Sequence, residues 1–138
     1  MTNDGTHRIR ATLSHAFVGW ALCGATMGIG KALWGLDTAL IVHAVAAPIF
    51  FFGVSKHYFT RYPHADPMPT ALAFVIFVVL VDFFLIGLAI NQSLEMFTSL
   101  IGTWLPFALI FTSTWLTGRR TTRTKVTASA QPRRRAAA

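Results

Sequence analysis

Two side chains stand out because they lie where polar groups are costly. Asp82 sits inside the run TALAFVIFVVLVDFFLIGLAI, and His43 sits inside TALIVHAVAAPIFFFGVS. An acid beside an imidazole is a pairing that general acid–base chemistry and proton relays use, because one group can hold the proton that the other gives up. A carboxylate near the middle of a membrane span costs about 2.5–3.5 kcal/mol on insertion scales, so it normally faces a bundle interior or a wet cavity and marks a candidate site. The bland alternative is a hydrogen bond that ties two helices together, worth about 0.6 kcal/mol on average.

Other chemistries lack their residues. Cys23 is the single cysteine, which excludes an intrachain disulfide and any CxxC redox or zinc pair. No HxxH or HExxH spacing is present, and two ligands are too few for zinc, so neither a metal nor a cofactor is expected. There is no GxSxG elbow and no Walker or Rossmann glycine pattern. The fragment Gly28-Ile29-Gly30-Lys31 looks phosphate-loop-like by letters alone, but it ends an apolar run and follows no strand. An enzyme acting on a lipid or quinone would have His43 as its only acid–base group.

The elements that must position Asp82 and His43 follow from composition. The chain has 138 residues, 54% hydrophobic and 12% charged, with a mean hydropathy of +0.54. Ordinary globular domains carry about 25% charged residues. A chain this short cannot enclose so much apolar surface, since small domains leave a large share of their surface exposed. A bilayer core about 30 Å thick takes about 20 apolar residues per helix. Four segments meet that length, at about 11–30, 38–55, 70–90 and 97–116. The fold class expected is all-α, a polytopic membrane protein built as a four-helix transmembrane bundle over residues 11–118.

Orientation follows from the basic residues. With the N-terminus inside, the inner segments hold Arg8, Arg10, Lys56, Arg61 and the seven Lys and Arg after Gly118, leaving Lys31 alone outside. That asymmetry places both termini in the cytoplasm, with 1–10 as the N-terminal segment and the setting a cell membrane of the bacterial inner-membrane kind. An N-terminal signal peptide is the competing reading of the first span, but the apolar run exceeds a typical h-region and lacks a small-x-small site. Residues 119–138 show no apolar periodicity and are expected to form a disordered basic tail lying on anionic lipid headgroups. The partners expected are therefore the lipid bilayer and those headgroups, with a second copy or another membrane protein open as a further partner, and no nucleic acid.

Packing signals are small residues and prolines. Gly24 and Gly28 form a flat GxxxG face on span one, suited to a neighbouring helix or a second copy, and Gly102 offers a similar contact on span four. Pro48 and Pro106 each remove a helical hydrogen bond and free a carbonyl one turn earlier, at Ala44 and Gly102. At 1.5 Å per residue, His43 lies about 7–8 Å below the outer surface and Asp82 about 12 Å. An acid, an imidazole and two irregular backbone sites thus share the outer half, provided that spans two and three are neighbours.

Small multidrug exporters are similar in size, but they carry their working carboxylate in the first span, where this chain has none. The glycine-arginine pattern of the fluoride channels is also missing. The expectation is a structural or accessory membrane component, with a small proton- or ion-coupled transporter or channel subunit using Asp82 and His43 as the alternative.

Overall fold

Glycine and proline punctuate a chain that is otherwise all helix. In the computed structural model, residues 2–136 are described, with side chains over 5–94 and 97–124. Helix α1 (Thr2–Trp34) is separated from α2 (Leu36–Arg61) by Gly35 alone. Gly35 adopts φ 82°, the left-handed conformation that a residue without Cβ tolerates best. A turn at 62–66 leads into α3 (Pro67–Val81), where the Asp66 side chain accepts from Met68 N at 3.2 Å and Pro67 occupies the first turn. Both features are standard helix-start chemistry.

Beyond Val81 the same rod widens into a π-helical segment, Asp82–Ile90. It closes with Asn91 N–H donating to Ile86 O at 2.8 Å and Ser93 N–H donating to Gly87 O at 2.9 Å. Gly87 allows that closure, since a Cβ there would lie 2.9 Å from Leu94 Cδ2. A short 3-10 turn (Glu95–Thr98) and a second π-helical segment (Leu100–Trp104) then lead into α4 (Leu105–Ala136). In that second segment Leu105 N–H donates to Leu100 O, five residues back. Pro106, which has no N–H to continue the regular ladder, follows at once.

Each of the four rods is long and apolar enough to cross a membrane, over Gly5–Trp34, Leu36–Arg61, Pro67–Ile90 and Leu100–Thr124. The first three extend past the limits expected from hydropathy, because polar residues at helix ends keep their backbone bonds. The fourth starts at Leu100 rather than Phe97, because Ser99 is extended and its Oγ caps Gly102 N–H at 3.0 Å. Helical backbone also continues through the segment 119–136, where no regular structure was expected. No glycine or proline interrupts it between Gly118 and Pro132, and threonine hydroxyls bond back along it, Thr121 to Thr117 O and Thr122 to Gly118 O, both at 2.9 Å. The basic side chains from Lys125 onward lie outside the described residues.

Around the bundle the helices follow one another in the order α1, α2, α4, α3, with α3 closing back on α1. Spans two and three are therefore diagonal rather than adjacent. The core between them holds fully buried Ala16, Ala39, Ala47 and Ala71, with Phe51, Phe59 and Phe74 filling the remaining space. Phe51 reaches α1 at Gly19, where a Cβ would lie 2.7 Å from its ring. Phe59 and Pro67 press on Gly118, where a Cβ would meet them at 2.6 and 2.7 Å. By contrast Gly24 and Gly28, expected to seat a neighbouring helix, have no atom within 4 Å of a Cβ, so they face away from the rest of the chain. Gly102 does make a close approach, to Leu40 of α2 and to Ser99.

Between α2 and α4 the contact is partly polar. Ser55 Oγ donates to Thr114 Oγ1 at 3.1 Å, and Ser113 Oγ donates to Pro48 O at 2.8 Å. The outer surface is the reverse of a water-soluble one. Ile76 is 55% exposed and Leu100 76% exposed, and large apolar residues are exposed along every rod. An exposed apolar surface of this extent is the kind that marks contact with a membrane or with another protein.

Candidate functional site

Asp82 occupies the junction where α3 passes into its π-helical segment. Trp20 Nε1 donates a hydrogen bond to Asp82 Oδ1 at 2.8 Å. Trp20 lies on α1, which packs beside α3, so the bond ties two adjacent helices. An indole is a donor without an acceptor, and when buried it usually finds a partner. Trp20 thus supplies one hydrogen bond to the carboxyl but can neither accept a proton from it nor pass one on.

His43 comes from α2, the helix diagonal to α3, and reaches α1 at Cys23. Its ring lies within hydrogen-bonding reach of the Cys23 backbone, and its Nδ1 is buried with no hydrogen-bond partner. Cys23 is itself buried and lies near Asp82. Asp82 and His43 both reach α1, Asp82 at the Trp20 indole and His43 at the Cys23 backbone. A direct bond between them is not among the hydrogen bonds of the described residues; the carboxyl bonds to Trp20 instead. The helices that carry them, α2 and α3, are diagonal in the bundle, and each side chain meets α1 instead.

Trp20 was legible as an aromatic but not as a partner. The signal is depth: it stands ten residues before Gly30, about 15 Å from the outer end expected for span one, close to the level counted for Asp82. Cys23 follows it by three residues, nearly one helical turn.

The two prolines play different parts. The carbonyl of Pro48 accepts from Ser113 and belongs to the α2–α4 contact. Pro106 is fully buried and follows the π-helical segment that contains Gly102. Among the described residues no group of three or more His, Cys, Asp or Glu is placed to hold a metal ion.

A second polar cluster gathers at the opposite end of the bundle, where hydropathy separates its members into different segments. His15 of α1 stacks on His57 of α2 with centroids 5.4 Å apart, and Tyr58 meets His15 edge-on at 5.3 Å. Tyr58 Oη and Thr12 Oγ1 share a hydrogen bond of 2.9 Å. Arg8 also donates to His64 O at 3.5 Å. These contacts bring the start of α1 beside the turn at 62–66, and Gly118 beside Phe59 and Pro67 sets α4 at the same end. Arg8, Arg10, Lys56, Arg61, Arg119 and Arg120 therefore share one end of the bundle.

Compared with family models, curated proteins and solved structures, the chain matches none. The functional reading therefore rests on these contacts.

Proposed function

We propose that the chain is a small multi-pass membrane protein with a structural or accessory role, its basic end in the cytoplasm. Its buried carboxyl serves as an interhelical tie. The observation that carries this reading is the 2.8 Å bond from Trp20 to Asp82. It commits the carboxyl of the third span to a partner that cannot relay a proton. A bond that only fastens helices needs an acceptor oxygen and no charge. Asparagine keeps that oxygen, so Asp82→Asn is expected to preserve folded yield and detergent stability, while Asp82→Leu lowers both. Equal loss in Asp82→Asn and Asp82→Leu would show that the ionisable group itself is needed.

One observation favours a second reading, a proton-coupled transporter or channel subunit. His43 Nδ1 is buried without a partner, and unpaired buried polar atoms are costly enough to call for an explanation. Reconstitution into liposomes holding an entrapped pH dye tests it. Proton flux that disappears in well-folded Asp82→Asn and His43→Gln variants supports this second role. Flux no greater than in protein-free liposomes eliminates it.

A further inference from the structure

Helices α1 and α2 enclose a groove of about 550 Å³ at the basic end of the bundle, apart from the Trp20–Asp82 tie. That volume lies within the range of about 300–1,000 Å³ common for ligand sites. Polarity is graded along it. Ser14, His15 and His57 line one end, and Leu22, Ile49 and Phe50 line the other. From His15 to Leu22 is seven residues, about 10 Å of helix rise, which is the reach of a segment of acyl chain. Leu22 and Ile49 are 42% and 62% exposed, so the groove opens sideways, toward the surface that lipid would cover.

We infer that this groove seats one anionic glycerophospholipid, its phosphate beside the His15–His57 stack and an acyl chain along Leu22, Ile49 and Phe50. Charge favours that headgroup. Arg10 stands one helical turn before Ser14, whose hydroxyl donates to Arg10 O at 2.8 Å, and Lys56 adjoins His57. No acidic residue occurs from Gly5 to Leu36, and the only acid of α2 is Asp37, at the opposite end. Asp66, an acid at this end, is engaged in capping α3. His15 Nδ1 lies 2.7 Å from Ala11 O, an atom that can only accept, so Nδ1 donates there, and Nε2 accepts from a headgroup hydroxyl in the neutral ring or donates to the phosphate in the imidazolium. A soluble phosphate would leave the apolar half of the groove unused, whereas a lipid fills both halves.

Gly53 keeps the groove open, and a Cβ on it would meet nothing within 4 Å. Gly53→Leu should therefore plug the site without crowding the bundle. The inference requires insertion in a bilayer but not the accessory role. Without insertion the chain would be monodisperse in detergent-free buffer, whereas an error confined to the lipid site leaves insertion intact.

The test is thermal unfolding of the full chain in detergent, titrated separately with phosphatidylglycerol, phosphatidylcholine and inorganic phosphate. Binding to the folded state raises Tm by mass action. Phosphatidylglycerol is expected to raise Tm more than phosphatidylcholine, and inorganic phosphate to do little. Apparent affinity for phosphatidylglycerol should fall by about tenfold or more in Gly53→Leu and in the double variant Arg10→Gln with Lys56→Gln. Equal effects of the two lipids, or a phosphatidylglycerol effect that survives both variants, would overturn the proposal. So would inorganic phosphate reproducing the lipid's effect, which would indicate simple charge binding.

Discussion

The Trp20 indole and the Asp82 carboxyl, 62 residues apart in sequence, meet at 2.8 Å between α1 and the first residue of the π-helical segment. The pairing gives the carboxyl a donor inside an apolar bundle and fastens span one to span three. Removing the donor should cost more than neutralising the acceptor. Trp20→Phe is expected to lose about 0.6–1.7 kcal/mol, the span of measured membrane side-chain pairs, with Asp82→Asn losing less. Unfolding in mixed detergent micelles measures both, and a reversed order would argue against the tie.

Glycine substitutions should differ in sign. At Gly118 an added methyl meets Phe59 and Pro67 at 2.6 and 2.7 Å, so Gly118→Ala should destabilise by about 1–3 kcal/mol through overpacking. Gly24 and Gly28 face open space, so Gly24→Ala and Gly28→Ala should be neutral or stabilising by up to about 1 kcal/mol, the helix-propensity gain. Thermal unfolding at low protein concentration checks the three variants. A loss at Gly24 of the size seen at Gly118 would place another surface against it.

The α2–α4 contact gives a sharper comparison. Ser113→Ala deprives Pro48 O of its cross-helix donor at 2.8 Å and should cost about 0.6 kcal/mol. Thr112, exposed and bonded back to Ala108 O on its own helix, should tolerate alanine within about 0.5 kcal/mol. Equal costs in the two variants would remove the interhelical bond from the account.

Topology can be read with thiols, because Cys23 is only 5% exposed and the unaltered protein should label slowly. Lys31→Cys, at the end away from the basic cluster, is expected to react with an impermeant maleimide on intact cells. His64→Cys, at the basic end, should react only after permeabilisation. The opposite pattern would invert the orientation proposed here.

How far hydropathy reaches is clear from particular residues. The run around Asp82 announced both a span and a costly carboxyl, because desolvation depends on composition and depth, which a linear sequence carries. The partner of that carboxyl was not legible, because it depends on which helices adjoin. Gly24 and Gly28 have the spacing of a packing face and yet point outward, while Gly19, with no glycine one turn away, receives the Phe51 ring. His15 and His57 lie in different segments of the sequence, so nothing in it pairs them, although the antiparallel pairing of α1 and α2 stacks them.

From the sequence alone come four apolar rods, their connections, and a strong bias of positive charge to one end. These follow from the cost of placing polar groups in hydrocarbon, a quantity that sums along the chain. Tertiary structure decided the order α1, α2, α4, α3, the Trp20–Asp82 bond in place of a direct Asp82–His43 pair, and the two π-helical segments. Those depend on which side chains interlock across helices, and apolar surfaces of nearly equal hydropathy carry no record of which face meets which.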